Sequence, residues 1–366
     1  MVFPPTGRFR ASRKPNLAYF LDHHQKNTHQ AFTFWVNLFK IITYRQTILT
    51  PHKNKNIVAF GTAIPLFLPS SKVFMKRIVL STSSSSLNYI NTPHAVRLVP
   101  FHVIINGKDH LDIRDIDTAR LSKMLYDNPN LSVTTSPPTA DEINALFDEL
   151  YAEGYEEVLV CTISSAISKS HEIFNTLKTK FVGKMNIYVY DTKTLNIDEG
   201  ALAFEADLMI QEGKSMLDII NRLDELRKNS LFMFTLSDLN FIVRNKKLSA
   251  PAGFIANLFG IKPIMWVDDI GRVIPRDKIR KIERSINYMA ETAIAHIGNK
   301  DAFIYMVDTS MGFYTDSFQE LFVNGYGLRN VPVIPVSTVS LANHGPTGVG
   351  LGVYYGKVPR IVKYLK

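Results

Sequence analysis

The strongest constraint on how this chain can fold is an alternation, between residues 134 and 228, of short apolar runs with segments of helical period. Thr139 and Glu142 form a capping-box pair, and Ile143, Leu146, Phe147, Leu150 and Tyr151 follow at i, i+3, i+4, i+7 and i+8, with Gly154 as the stop. Val158–Ile163 is a continuous apolar run, the pattern of a strand buried on both faces. Ile173, Phe174, Leu177 and Phe181 then mark an inward helical face, Ile187–Tyr190 a further strand, and two helices flank Gly213. Strands alternating with helices give a mostly parallel sheet covered by helices. Upstream, Arg77–Leu80 reads as the first strand. Ser83–Ser86 follows it, then an extended stretch, Ala95–Ile105, that ends in the turn Asn106-Gly107.

From Leu231 the pattern changes. Leu231–Thr235 and Ile261–Val267 are strand-like, with helix-like Leu236–Val243 and Ala252–Leu258 between them. A long mixed-charge helix is expected over Arg276–Ile297. Ala302–Val307 and Val331–Val336 read as strands, and the glycine-rich loop Gly345–Gly350 precedes a last strand, Leu351–Tyr355. The expected organisation is therefore two α/β domains, 75–229 with a mostly parallel helix-covered sheet and 230–366 with a mixed sheet, and no internal repeat.

Charge sets residues 1–74 apart. Of the net +9, this segment carries ten Lys/Arg against Asp22, whereas residues 75–366 hold 32 basic and 32 acidic side chains. The body thus lacks an electrostatic footprint for nucleic acid. The leader is proline-punctuated, and its most apolar run, Ile57–Leu68, is too short to span a bilayer. A transit peptide, a surface-binding arm or residues read from an upstream start codon would all look like this, and we favour the last, an unstructured extension before a domain that begins at Met75; His23, His24 and His29 belong to this tail rather than to a metal site. The single Cys161 sits in an apolar run, so no intrachain disulfide can form, as expected of a cytoplasmic protein.

Two hydroxyl-rich segments stand where strands are expected to turn into helices: Thr134-Thr135-Ser136-Pro137-Pro138-Thr139 and Ser164-Ser165-Ala166-Ile167-Ser168. In an open α/β sheet, ligands bind beyond the carboxyl ends of the strands, at helix N-termini. Hydroxyls there suit an anion, each hydrogen bond to a charged group contributing roughly 1.5–3 kcal/mol. Ordinary helix caps would use the same residue types, and the two readings stay open at this point.

Covalent chemistry finds little support. No GxSxG elbow or GxxxxGK[ST] loop exists, and no His, Cys and acidic set has metal spacing. His171, one turn from Ser168, is expected to face solvent. Asp268-Asp269-Ile270-Gly271 reads as a hairpin turn. The Gly345–Gly350 loop suits either a phosphate cradle or close backbone packing.

Over Met75–Lys366 the chain resembles the DegV family of fatty acid-binding proteins. The resemblance rests on an ordered set: the strand with Ser/Thr at Ile78–Leu87, Thr135-Ser136-Pro137-Pro138, Ser164–Ser168, and Asp191-Thr192. Leu236-x-x-Leu239, Asn257-Leu258-x-x-Ile261-Lys262-Pro263-Ile264, Arg280, and Gly345-Pro346 with Gly350 complete it. The resemblance implies a carrier without catalytic residues, metal or cofactor. It would clasp a long-chain fatty acid between two domains and present it to a fatty acid kinase for phospholipid synthesis. It also implies Thr135 and Ser168 as carboxylate ligands, with Ser136, Ser165, Lys169, Lys247, Asn343 and His344 around them. At roughly 0.8 kcal/mol per methylene, a tail of about fifteen carbons contributes on the order of 12 kcal/mol gross, so the tail supplies affinity and the loops orientation.

This sequence departs from the family pattern at the head group. Lys169 replaces a glycine, Lys247 an arginine, Asn343 a histidine with His344 beside it, and Thr82 and Ser86 two aspartates of the first loop. A binding protein for another amphipathic acid, or an α/β enzyme acting on a small anion, are the alternative readings.

Overall fold

In a computed structural model of the chain, the structure describes residues 75–365 except 252–259, 310, 311, 313 and 330. The leader with its histidines and the helix expected over Ala252–Leu258 lie outside the described residues. Seven strands precede residue 200: β1 (Arg77–Thr82), β2 (Arg97–Val99), β3 (His102–Ile105), β4 (Lys108–Leu111), β5 (Val133–Ser136), β6 (Glu157–Thr162) and β7 (Asn186–Asp191). Helices α1 (Thr118–Asp127), α2 (Ala140–Ala152), α3 (Ser170–Leu177), α4 (Ile197–Gln211) and α5 (Met216–Lys228) connect and cover them. Four of the strands form a wholly parallel sheet in the order β2-β1-β6-β7.

The uniform apolarity of β6 follows from its place inside that sheet. Val158 and Val160 face a core shared with Phe147 and Leu150 of α2 and Phe174 of α3. Leu159 and Cys161 face the opposite core, against α4. Burial pushes the Cys161 thiol far above its ordinary value. The capping box on α2 forms as expected, with Thr139 Oγ1 accepting from Glu142 N and Glu142 Oε2 accepting from Thr139 N. Ile143, Phe147 and Leu150 are buried, but Tyr151 points outward.

Beyond α5 come β8 (Ser230–Leu236), α6 (Asn240–Arg244), β9 (Lys262–Val267), β10 (Val273–Ile279), α7 (Ile282–Ile297), β11 (Ala302–Asp308), α8 (Thr315–Tyr326), β12 (Val333–Pro335), α9 (Thr338–His344) and β13 (Gly348–Tyr355). The strands form a mixed sheet in the order β10-β9-β8-β13-β11-β12. One face, with Met233, Leu351 and Met306, packs on Met289 and Ala290 of α7 and Phe318 of α8. The other, with Phe232, Phe234, Tyr305 and Val307, joins the core that reaches α4 and the first sheet. Helix α4 therefore lies within protein on every side, which is why it carries no polar face. Gly200 brings it against the first loop; a Cβ there would stand 2.4 Å from the Ser85 carbonyl oxygen.

Several expectations are corrected. β5, which carries Thr134–Ser136, belongs to a separate antiparallel sheet in the order β4-β3-β5, not to the parallel sheet. The Ala95–Ile105 stretch is split into β2 and β3, and Asn106-Gly107, both at positive φ, closes the β3–β4 hairpin. Arg276–Ile279 is strand rather than helix: β10 is an edge strand with Arg276 and Lys278 exposed and Asp277 accepting from Tyr288 of α7, with a register shift at Pro275/Asp277 and Arg276 stacked on Trp266. Gly348 and Gly350 lie inside β13, not in a loop. The Asp268–Gly271 turn does join two antiparallel strands, with Gly271 at φ +83°.

Candidate functional site

A cavity of about 50 Å³ opens where three pieces meet: the strand β5, the turn after β6, and the helix α9 with the segment after α6. Its polar lining is Thr135, Ser168, Lys247, Ser340, Asn343 and His344. The rest is apolar, including Phe101, Ile163, Ile167, Leu195, Phe234 and Val339. Thr135 comes from an antiparallel strand and Ser168 from the end of a parallel one, so different sheets bring the two hydroxyls to one place.

The donors are arranged with a direction. Asn343 Nδ2 donates to Thr135 Oγ1 at 3.0 Å and to the Val339 carbonyl at 2.7 Å. Both of its amide hydrogens are thus used, and the Thr135 hydroxyl is left to donate its own proton elsewhere. Ser168 Oγ accepts from Ser170 N at 3.2 Å, capping the start of α3, and donates to Ser170 Oγ at 3.3 Å. Lys247 Nζ donates to the Ile167 carbonyl at 2.7 Å, using one of three hydrogens. The residue is half-buried by surface area, and desolvation holds its pKa below the ordinary lysine value. Among the described residues no carboxylate pairs with it.

His344 is buried, and desolvation pushes its pKa down to about 4, so it is neutral at pH 7. Its Nδ1 faces the Gly345 carbonyl at 2.7 Å and carries the proton there, which leaves Nε2 as an acceptor. A neutral His344 in this tautomer cannot donate to a carboxylate; it can accept from a protonated acid.

Three of the expected site residues lie outside this lining. Ser136 Oγ donates to the Pro137 carbonyl at 3.1 Å. Ser165 is exposed and tied to Asp191 through both its backbone N–H and its hydroxyl. Lys169 is exposed at the N-cap of α3. Ser164 serves the fold, donating to the Gly271 carbonyl at 2.8 Å and so joining the turn after β6 to the β9–β10 hairpin. His171 is half-buried, not solvent-facing, with Nδ1 3.3 Å from Thr162 Oγ1.

Sequence reasoning overlooked α9, although Ser337 caps it and Gly345 ends it. It also overlooked the apolar lining and, of the buried carboxyls, the three whose pKa burial raises. Glu199 accepts from Ser81 Oγ, Thr82 Oγ1, Thr82 N and Ser84 Oγ, and burial pushes its pKa up to about 8. Desolvation also pushes Asp198 and Asp112 up to about 6. The signal for Glu199 and Asp198 was present: acids inside an otherwise apolar helix. A second cavity of about 20 Å³ shares Leu195, Phe234 and His344 with the first. Among the described residues no His/Cys/Asp/Glu cluster could hold a metal, and no helix is long and apolar enough to cross a membrane.

Residues 77–356 match the model of a family described as "Uncharacterised protein, DegV family". A DegV domain-containing protein of Clostridium acetobutylicum is 29% identical over 281 residues, 75% of this chain and 96% of the relative. The crystal structure of a fatty acid binding DegV family protein from Streptococcus agalactiae superposes with TM-score 0.69 at 22% identity. It covers 78% of this chain and 100% of that one. The Fatty Acid Kinase (Fak) B3 protein of Streptococcus pneumoniae, solved loaded with linoleic acid, gives TM-score 0.64 at 16% identity, covering 77% and 100%.

Proposed function

The chain belongs to the DegV family, and from that premise we propose that it is a carrier for a fatty acid, whose carboxylate is held at the Thr135–Lys247 end of the cavity. The observation that carries this reading is the Lys247 ammonium, desolvated beside an apolar cavity and unpaired with any carboxylate among the described residues. A partly buried cation without an anion is costly, and an anionic ligand would relieve that cost. Thr135, whose oxygen already accepts from Asn343, supplies its hydroxyl proton to the same anion. Ser168 lines the same end from the turn before α3, and its proton must turn from Ser170 Oγ to reach the anion.

The tail would run among Ile163, Leu195, Phe234 and Val339. An engineered cavity of about 150 Å³ accommodates benzene, so about 50 Å³ calls for Phe234 and its neighbours to part as a chain enters. Purified protein extracted with organic solvent and analysed by mass spectrometry should release a C14–C18 acid. Repeated absence of any lipid would sink this reading. An acid of another amphipathic class would replace it with the second one, for which the small cavity speaks.

We further infer that the acid is presented to a fatty acid kinase for phospholipid synthesis, by likeness to the pneumococcal Fak protein. Acyl-phosphate formation from protein-bound acid by an added kinase tests this step. We divide the body into domains at 229/230 and place the protein in the cytoplasm, a reading supported by its single buried Cys161.

A further inference from the structure

The inner face of the second sheet carries a trough whose far end is filled by an anchored ring. Gly348, Gly350 and Gly352 alternate along β13 and so share one face of the sheet. In register beside them stand Leu236, Phe234 and Phe232 on β8, and Val307 and Tyr305 on β11 opposite Gly350 and Gly352. Side-chain-free positions in a central strand leave a groove that neighbouring side chains or a ligand must fill. The second cavity lies over Gly348 and Gly350 and shares the walls Leu195, Phe234 and His344 with the head-group cavity.

At Gly352 the groove stops. The Tyr305 ring lies directly over it: a Cβ on Gly352 would be 1.9 Å from Tyr305 Cζ. The ring is stacked between Phe303 and Tyr354, at 6.2 and 6.3 Å between centroids. Its hydroxyl donates to Asp198 Oδ1 at 2.6 Å, and Tyr354 donates to the same oxygen. All three are almost wholly buried. A ring held by stacking and by a shared buried carboxyl cannot swing aside as an unanchored Leu or Phe could.

Building on the carrier reading, we propose that the Tyr305–Asp198–Tyr354 cluster closes the far end of the acyl channel and sets the longest chain this protein accepts. Removing the ring adds one same-face step of strand, about 6.6 Å, room for about four or five methylenes.

The test titrates the delipidated full chain with saturated n-alkanoic acids from C8 to C18. Wild-type affinity should rise with length to a limit and then level off or fall. In Tyr305→Ala the limit should move up by about four carbons, and acids just beyond the wild-type limit should bind at least tenfold tighter. Tyr305→Phe, which keeps the ring, should leave the limit in place. If Tyr305→Ala folds poorly, Tyr305→Leu should move the limit the same way by a smaller step. The wild-type protein offers a check without substitution. An acid of limiting length with an ω-diazirine should cross-link to Tyr305, Phe232 or Tyr354, and cross-links elsewhere would overturn the proposal. Binding with an unshifted limit in both Tyr305→Ala and Tyr305→Leu would overturn it too, while leaving the carrier reading standing. Binding of no acid by any of these proteins would remove the carrier reading and this proposal together.

Discussion

Two clusters of Ser and Thr hydroxyls lie in this protein, and they have opposite fates. In the first, Ser81, Thr82 and Ser84 gather around Glu199, a carboxyl that the protein itself inserts from α4. In the second, Thr135 and Ser168 stand beside Lys247, and no protein carboxylate enters. Their residue types are alike, so composition cannot tell them apart. What differs is whether the protein inserts a carboxyl among the donors. A filled hydroxyl cluster is a structural joint, and the one without a carboxyl, beside a cation, is where we propose that the ligand's head group sits. α4 supplies a carboxyl to Thr82 from across the first loop.

That contrast breaks first, and hardest, at Glu199. Glu199→Ala should strand the Thr82 N–H and three buried hydroxyls, costing about 3 kcal/mol of stability in urea unfolding. A loss under about 1 kcal/mol would mean that the first cluster is not held by its carboxyl. The reverse is expected at the open cluster. Lys247→Met should leave stability unchanged or slightly raised, because a desolvated charge is removed, while fatty-acid affinity falls at least tenfold, about 1.4 kcal/mol. Equal affinity of variant and wild type would show that the ammonium serves only the Ile167 carbonyl.

pH sharpens the comparison further. The folded-state pKa of Glu199 is raised from 4.5 to about 8, so the native protein holds a proton that the unfolded chain releases. Its contribution is therefore full below about pH 4.5 and is lost as pH rises through 8. His344 works the other way: its folded pKa is lowered from 6.5 to about 4, so its contribution is full above 6.5 and fades as pH falls through 4. Between pH 6.5 and 8.5 the Glu199 effect dominates of these two, and stability should drop by about 2 kcal/mol. Glu199→Gln should flatten that slope, and urea midpoints at the two pH values measure it. The smallest effect is expected at Thr135. Thr135→Val keeps the shape and removes the donor, and affinity should fall several-fold, about 0.5–1.5 kcal/mol. A Thr135→Val variant that binds as well as wild type would place the carboxylate nearer to Ser168 and Lys247.

The sequence made the βα half of the fold legible because its periodicities are local. The capping box of α2 and the two-faced apolarity of β6 are each set by neighbours within a few residues. It misread β10, where Arg276, Asp277 and Lys278 look like a helix start but sit on an edge strand that needs charge to stay unpaired. Thr135, Ser168, Lys247, Asn343 and His344 were legible as individual polar residues in motifs, and the structure brings them around one cavity. Ser136 and Ser165 were not separable from them, since hydroxyls in one loop differ only in which way they point. The Glu199 joint was out of reach because its partners lie more than a hundred residues away in sequence.

The position of the last strand carries a consequence for how the molecule is made. β13 is central in its sheet, between β8 and β11, yet it is the last to be made of the strands among the described residues. Until it arrives, β8 and β11 each present an unpaired edge and cannot pair through it. Completing the sheet therefore waits on contacts that span more than a hundred residues, the arrangement that slows folding and prolongs the exposure of apolar strands. A chain cut short of Tyr355 would lose part of the strand that holds the sheet together.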